Sequence, residues 1–117
     1  MFTFTGIVQK GAKRAAELGF ATINIPLGTS SVSGVYAAKV NVEGKEYTAA
    51  VFADPGRGIL EAHMLDFPPQ DLYGKEATIE LFEKLRDGMR FDNDEVLRST
   101  IADDVKRTRM HFERGAK

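Results

Sequence analysis

Residues 34–54, GVYAAKVNVEGKEYTAAVFAD, contain two alternating runs separated by a turn, and this pattern decides the fold class. In the first run, small or apolar side chains that share one strand face recur at every second position: Tyr36, Ala38, Val40 and Val42. The positions between them fall on the opposite face: Val35, Ala37, Lys39 and Asn41. The VEGKE segment is typical of a hairpin turn, because Gly44 adopts a positive φ without steric cost. The stretch therefore predicts two antiparallel strands.

Four further runs of this character lie elsewhere in the chain. They are FTFTGIVQK (2–10), ATINIP (21–26), ILEAHMLDF (59–67) and EATIELFEKL (76–85). Glycine, proline and polar residues separate the runs. Six short strands separated by such turns are typical of an antiparallel sheet or barrel.

The period changes near the C-terminus. From Asp94 to Phe112 an apolar stripe recurs every three or four residues and predicts one helix: Leu97, Ile101, Val105, Thr108 and Phe112. Asp92 or Asn93 is the expected N-cap. A shorter helix is possible in AKRAAEL (12–18), ended by Gly19, and another turn of helix is possible from Pro68 or Pro69.

Composition narrows the class of protein. With 117 residues, 43% hydrophobic and 28% charged, the chain fits one soluble globular domain. The formal net charge of −1 does not favour nucleic acid or an anionic membrane as a partner. The chain has no cysteine, which suits a reducing compartment, and its start does not have the pattern of a signal peptide. We expect a cytoplasmic monomer.

A family resemblance appears in the segment GIVQKGAKRAAELGFATINIP, residues 6–26. It is similar to the start of riboflavin kinases, a glycine-bearing loop followed by Leu-Gly-Phe-Pro-Thr-Ala-Asn. The similarity continues in register through SGVYAAKV (33–40), residues 60–92 and IADDVKRTR (101–109). It implies a mainly β fold over 1–117, a six-stranded antiparallel Greek-key barrel closed by a C-terminal α-helix. The FAD-forming adenylyltransferase domain, often fused to this one in bacteria, is not expected in 117 residues.

The resemblance also implies an activity. Riboflavin kinases transfer the γ-phosphoryl of ATP to the 5′-hydroxyl of riboflavin, which gives FMN and ADP and requires Mg²⁺. Such a transfer needs a divalent cation, phosphate donors and a carboxylate that receives the hydroxyl proton. The substrates expected here are therefore riboflavin and ATP, with Mg²⁺ as the cofactor.

Thr22 and Asn24 are two residues apart and share one strand face. On their own they are more typical of a solvated strand surface than of a ligand site. The resemblance implies that both hold the magnesium–nucleotide complex. It also implies nucleotide contacts from the preceding loop, through Gly11, Lys13, Arg14 and Gly19.

Glu61 shares a predicted strand face with Ile59, His63 and Leu65, opposite the face of Leu60, Ala62 and Met64. A carboxylate among apolar neighbours is costly unless it is paired or used, although a lone strand glutamate is usually a surface residue. The resemblance implies that Glu61 is the general base. His63 and His111 are a poor zinc signal without cysteine partners, and we expect a surface position for His63.

The segment LRDGMRFD, residues 85–92, corresponds to a flap that borders the flavin ring in the resembled family. The resemblance implies that its side chains line a flat, partly apolar slot: Leu85, Arg86, Met89 and Phe91. Phe91 is equally consistent with a role in anchoring the start of the helix.

Three features depart from the family pattern. Ala15 stands where a second loop glycine is usual, Ala21 replaces a proline, and VFADPGRGI (51–59) replaces a segment with Asn-Ile-Gly followed by Pro-Thr. Alanine resists the positive φ that a phosphate-binding loop uses. Two alternatives to the kinase therefore stay open: a flavin- or nucleotide-binding module of the same fold with weakened catalysis, and a structural interaction domain.

Overall fold

The computed structural model describes residues 2–9, 21–66, 72–89 and 91–115. It contains six strands and a helix: β1 (Phe2–Ile7), β2 (Thr22–Pro26), β3 (Gly34–Val42), β4 (Lys45–Asp54), β5 (Ile59–Met64), β6 (Glu76–Arg86) and α1 (Asp94–Gly115). All six predicted strands and the C-terminal helix are confirmed, with end points shifted by a few residues. The possible short helices at 12–18 and from Pro68 or Pro69 fall largely or wholly outside the described residues.

The strands form a single antiparallel sheet in the order β1-β6-β3-β4-β5-β2. The sheet curls into a half-barrel, and the chain just after β1 returns to the opposite edge strand. There the Gln9 N–H donates to the Asn24 carbonyl over 2.8 Å. Curling brings the inner faces of the strands together, and this is where the apolar core forms.

The core occupies the inner face of the half-barrel. Its members come from every second position of the inner strands, as the alternation predicts: Ile23, Ile25, Ala38, Val40, Val42, Ala49, Val51, Ala53, Leu60, Ala62, Ile79 and Leu81. The predicted turn between β3 and β4 is present, with Val42 paired to Lys45. Glu43 and Gly44 both adopt positive φ values, 53° and 77°, which suits the twist of a two-residue hairpin.

The helix α1 packs over the outer face of β3 and β4. Asn93 is its N-cap, because the Asn93 Oδ1 accepts hydrogen bonds from the N–H groups of Glu95 and Val96 over 2.7 and 3.3 Å. Ile101 and Thr108 of the predicted stripe are buried, as is Asp104, which the stripe did not include. In the described part of the chain, no helix has the length and apolar character needed to cross a membrane.

Candidate functional site

The pairing of β2 with β5 brings four polar side chains together. Thr22 lies opposite His63, and Asn24 lies opposite Glu61. Directly opposed residues of an antiparallel pair project to the same face. Because their neighbours along both strands belong to the core, these four side chains lie on the outer face of the half-barrel.

A cleft of about 920 Å³ opens beside this group. It lies between the outer face of β4 and β5, the segment that follows β6, and the first turns of α1. Its wall includes aromatic, charged and apolar side chains: Phe52, Asp54, Arg57, Glu61, His63, Arg86, Met89, Phe91 and Asp104. Thr22 and Asn24 are not among its described lining residues, but they adjoin it through their pairing with His63 and Glu61.

The segment after β6 approaches the sheet closely at Gly88. A Cβ built on Gly88 would lie 3.0 Å from Cε1 of the Phe52 ring, which is closer than such atoms normally approach. Glycine at this position therefore lets the segment close over Phe52, and the cleft wall depends on that contact.

Glu61 is a nearly buried carboxylate on the wall of the cleft, 9% exposed. Its Oε1 lies 3.6 Å from Arg57 Nη2 and 3.8 Å from His63 Nε2. Burial raises the pKa of Glu61, and the charge and hydrogen bonding of Arg57 offset only part of that rise. A carboxylate with a raised pKa that lines a cleft is suited to the role of a general base.

His63 is buried, so the expected surface position is wrong. Its strand is paired on both sides, and His63 is itself part of the wall of the cleft. Burial, together with the positive charge of Arg86, lowers the pKa of His63 to about 4. The imidazole is therefore neutral near pH 7, and its contact with Glu61 is not an ion pair. His111 lies elsewhere, on α1, with its Nδ1 2.9 Å from Glu83 Oε1.

Asp54 and Arg57 stand at the two ends of the tight hairpin between β4 and β5. The Arg57 Nε donates to Asp54 Oδ2 over 2.6 Å, and the Arg57 N–H donates to Asp54 Oδ1 over 3.3 Å. Burial opposes ionisation of Asp54, but the hydrogen bonds and charge of Arg57 outweigh it and lower the pKa of that carboxyl. The pair is thus charged.

Sequence reasoning missed both members of this pair, because VFADPGRGI was noted only as a departure from the family. A signal was present: Arg57 stands in a short glycine-bearing turn four residues before Glu61. The side chain of a residue in such a turn can fold back along the strand that follows and reach a residue four positions later.

The flap residues divide between two places. Arg86, Met89 and Phe91 line the cleft, whereas Leu85 lines a separate hollow beside the last turns of α1. The Arg86 guanidinium makes two hydrogen bonds to the Asp104 carboxylate, over 2.8 and 2.7 Å, and it lies 6.0 Å from the Phe91 ring centroid. Phe91 therefore lines the cleft beside the guanidinium that Asp104 holds.

Comparison with known proteins bears directly on this geometry. The family model described as Flavokinase: Riboflavin kinase matches residues 1–112. This chain belongs to the riboflavin kinase family. Its relatives include the bifunctional riboflavin kinase/FMN adenylyltransferases of Pseudomonas fluorescens, 34% identical over 92% of this chain, and of Escherichia coli strain K12, 35% identical over 95% of this chain. The trifunctional protein RibF/MnmA of Mycoplasmoides gallisepticum is 33% identical over 99% of this chain.

This member of the riboflavin kinase family spans only part of the length of those relatives. It covers 37% of the P. fluorescens protein, 38% of the E. coli protein and 19% of the M. gallisepticum protein. A solved structure titled as a macrolide-efflux protein from Streptococcus pneumoniae matches with a TM-score of 0.76 and 26% identity. That match covers 92% of this chain and 38% of the other chain. The description as an efflux protein is that of the matched protein and is not carried over to this chain.

Asn24 and Thr22 are the residues predicted to hold the magnesium–nucleotide complex. Asn24 is 5% exposed, so it does not lie on a solvated strand surface. Its Oδ1 is buried and has no hydrogen-bond partner within the described ranges. A buried amide oxygen without a hydrogen-bond donor is a suitable ligand for Mg²⁺, and Thr22 supplies a hydroxyl on the same face. The oxygen atoms of these two residues are thus of the kind that Mg²⁺ binds.

The remaining nucleotide residues of the prediction lie outside the described residues. They are Gly11, Lys13, Arg14 and Gly19, together with the departure at Ala15. Across the described ranges, no group of three or more His, Asp or Glu side chains is arranged to hold a metal ion. A magnesium site formed by Thr22 and Asn24 would be of another kind, because a neutral hydroxyl and an amide supply few ligands and would leave the others to phosphate and water.

Proposed function

We propose that this chain is an ATP:riboflavin 5′-phosphotransferase, which converts riboflavin and ATP to FMN and ADP. The observation that carries the proposal is the position of Glu61, a nearly buried carboxylate with a raised pKa in a cleft of about 920 Å³. Membership of the riboflavin kinase family supports it. So does the register that sets Asn24 opposite Glu61.

In the proposed reaction the riboflavin 5′-oxygen attacks the γ-phosphorus of ATP. A bond forms between that oxygen and phosphorus, the bond to the bridging oxygen breaks, and ADP leaves. The hydroxyl proton passes to the carboxylate of Glu61. The partial burial that raises the pKa of Glu61 makes its carboxylate a stronger base than an exposed one.

Thr22 and Asn24 would hold Mg²⁺ beside the ATP phosphates. When bound, the ion neutralises charge on the β- and γ-phosphate oxygens. Gly11, Lys13, Arg14 and Gly19 remain the proposed nucleotide contacts of the loop before β2. The backbone of Asn24 is held in place by the hydrogen bond that its main-chain carbonyl accepts from the Gln9 N–H.

The apolar part of the cleft suits a planar flavin ring. Phe52, Met89 and Phe91 supply apolar surface, and Met89 is 57% exposed, which leaves its side chain available for contact. We assign Arg86 to holding the flap through Asp104 rather than to a free flavin contact. Leu85 lines the other hollow, so a flavin contact through Leu85 requires a change in the flap.

One assay tests the proposal. The purified chain is incubated with riboflavin, ATP and Mg²⁺, and the flavins are separated by chromatography, with Mg²⁺ omitted in one control. FMN formation that depends on ATP and Mg²⁺ is the expected result. Riboflavin binding without FMN would favour the catalytically weakened binding module instead, and no binding of either substrate would favour a structural domain.

The proposal extends to the compartment and the oligomeric state of the enzyme. The lack of cysteine supports a reducing cytoplasm. We propose one domain over 1–117 acting as a monomer, which sedimentation of the purified chain would test.

A further inference from the structure

The hairpin between β4 and β5 holds one arginine in a fixed orientation. The Asp54 carboxylate accepts hydrogen bonds from the backbone N–H and from the side-chain Nε of Arg57, over 3.3 and 2.6 Å. The guanidinium carbon lies 5.9 Å from the centroid of the Phe52 ring, which gives the group an aromatic support. Two contacts therefore restrict a side chain that is 45% exposed and would otherwise be mobile.

The same guanidinium reaches Glu61. Arg57 Nη2 lies 3.6 Å from Glu61 Oε1, and His63 Nε2 lies 3.8 Å from that same oxygen. Arg57 and His63 both make these approaches to the same oxygen, Oε1. The two oxygens of this carboxylate are therefore unequal: Oε1 faces Arg57 and His63, and Oε2 lies on the other side of the carboxylate.

An ordinary surface ion pair does not account for this arrangement. Asp54 and Arg57 alone would stabilise the hairpin, and such exposed pairs contribute little. The Nε of the planar guanidinium instead bonds Asp54 while its Nη2 faces Glu61. Because the guanidinium is rigid, the bond to Asp54 sets the direction of the nitrogen that faces Glu61.

We propose that the Asp54–Arg57 pair positions Glu61, holding Oε1 so that Oε2 is the oxygen that accepts the substrate hydroxyl proton. Arg57 acts through Glu61 and is a positioning residue. This inference deepens the proposed function and rests on it for its kinetic consequence. The Asp54–Arg57 pair lies within VFADPGRGI, the segment in which this chain departs from the family pattern.

The kinetic test uses Arg57→Gln with a matched control. Misplacement of a base by about 1 Å can cost on the order of 100-fold in rate, so we expect kcat to fall roughly 10- to 100-fold. The KM values for riboflavin and ATP should stay at the parent values. Arg109→Gln is the control, because Arg109 also pairs with an aspartate, Asp66, and is 46% exposed, but lies outside the cleft lining. It should leave kcat and both KM values unchanged.

Two further variants separate positioning from other roles. Arg57→Lys keeps the charge without the planar fork and should recover only part of the lost kcat. Asp54→Asn leaves Arg57 in place but weakens the bond that orients it, so kcat should fall in the same direction. A rise in the KM for ATP with unchanged kcat would overturn the proposal, because Arg57 would then contact phosphate. An unchanged kcat in Arg57→Gln would overturn it as well.

A structural measurement keeps this inference separate from the proposed function. Crystal structures of the parent and of Arg57→Gln should show Glu61 in one conformer in the parent and in several in the variant. If the parent makes no FMN but this difference appears, the kinase assignment fails and the positioning stands. If the parent is active and Glu61 is equally ordered in both, the positioning fails and the kinase assignment stands.

Discussion

Asn24 and Glu61 lie directly opposite each other in the β2–β5 ladder, on the outer face of the half-barrel. Each strand contributes its polar residues to that face and its apolar residues, such as Ile25 and Leu60, to the core. A one-residue slip of β2 would move Asn24 into the core. The apolar packing of the inner face therefore fixes the distance between the proposed metal ligand and the proposed base.

Replacement of Glu61 by glutamine tests the base. Glu61→Gln keeps the size and the hydrogen-bonding capacity of the side chain but cannot accept the proton, so FMN formation should fall by about 10²–10⁴-fold. Riboflavin binding, followed by the change in flavin fluorescence, should change little. Glu76→Gln, at an exposed strand glutamate, is the control and should keep the parent rate. Parent-like turnover in Glu61→Gln would remove Glu61 from the mechanism.

Replacement of Asn24 by leucine separates function from stability. The buried Oδ1, which has no hydrogen-bond partner among the described residues, costs about 1–3 kcal/mol of folding free energy, so its removal should leave the melting temperature unchanged or raised. Binding of Mg-ATP, measured by calorimetry, should be lost while riboflavin binding remains. Thr22→Val should also weaken Mg-ATP selectively, with Thr3→Val as the strand control. Equal Mg-ATP affinity in parent and Asn24→Leu would mean that this oxygen holds no metal.

The Arg86–Asp104 pair should be required for stability. Asp104→Ala leaves a largely buried guanidinium without its carboxylate, and the free energy of unfolding in urea should fall by about 3–5 kcal/mol. The double replacement Arg86→Met with Asp104→Leu should lose much less, because no charge is left unpaired. Asp103→Ala, one position away and exposed, should cost little. A similar loss in the double variant would show that packing, rather than charge, sets the value.

Acid pH should destabilise the fold through His63. Its pKa is lowered from 6.5 to about 4 in the folded chain, so the unfolded chain takes up this proton first as the pH falls. The contribution is fully present above about pH 6.5 and is lost as the pH falls toward 4, by about 3 kcal/mol in all. The charged groups that face His63 are Glu61 and Arg86.

The raised pKa of Glu61 acts with the opposite sign, since its protonation favours the folded state as the pH falls. The comparison of unfolding curves for the parent and His63→Gln therefore isolates the histidine. The variant should show a shallower loss of stability between pH 6.5 and 4. His111→Gln is the control for loss of a histidine, and an equally shallow curve in that variant would contradict the assignment to His63.

The sequence alone determined the elements and the face on which each strand residue lies. The alternation from Tyr36 to Val42 predicted β3, the glycine turn predicted the hairpin, and the stripe from Leu97 to Phe112 predicted α1. These patterns are local, because side-chain direction repeats every two residues in a strand and every 3.6 in a helix. For the same reason Glu61 and His63 were placed together, and so were Thr22 and Asn24.

Only the tertiary structure decided which faces meet and what covers them. Strand alternation does not say which strands pair, so the opposition of Asn24 and Glu61 came from the β2–β5 register. It also does not say whether an outer face is solvated, and His63 is buried even though its side chain lies on the outer face and lines the cleft. The bonds of Arg86 to Asp104 and the contact of Arg57 with Glu61 depend on the paths of the flap and the hairpin in space. Those paths are set by the packing of apolar surface from distant parts of the chain. The periodicity of a short segment carries no information about such long-range packing.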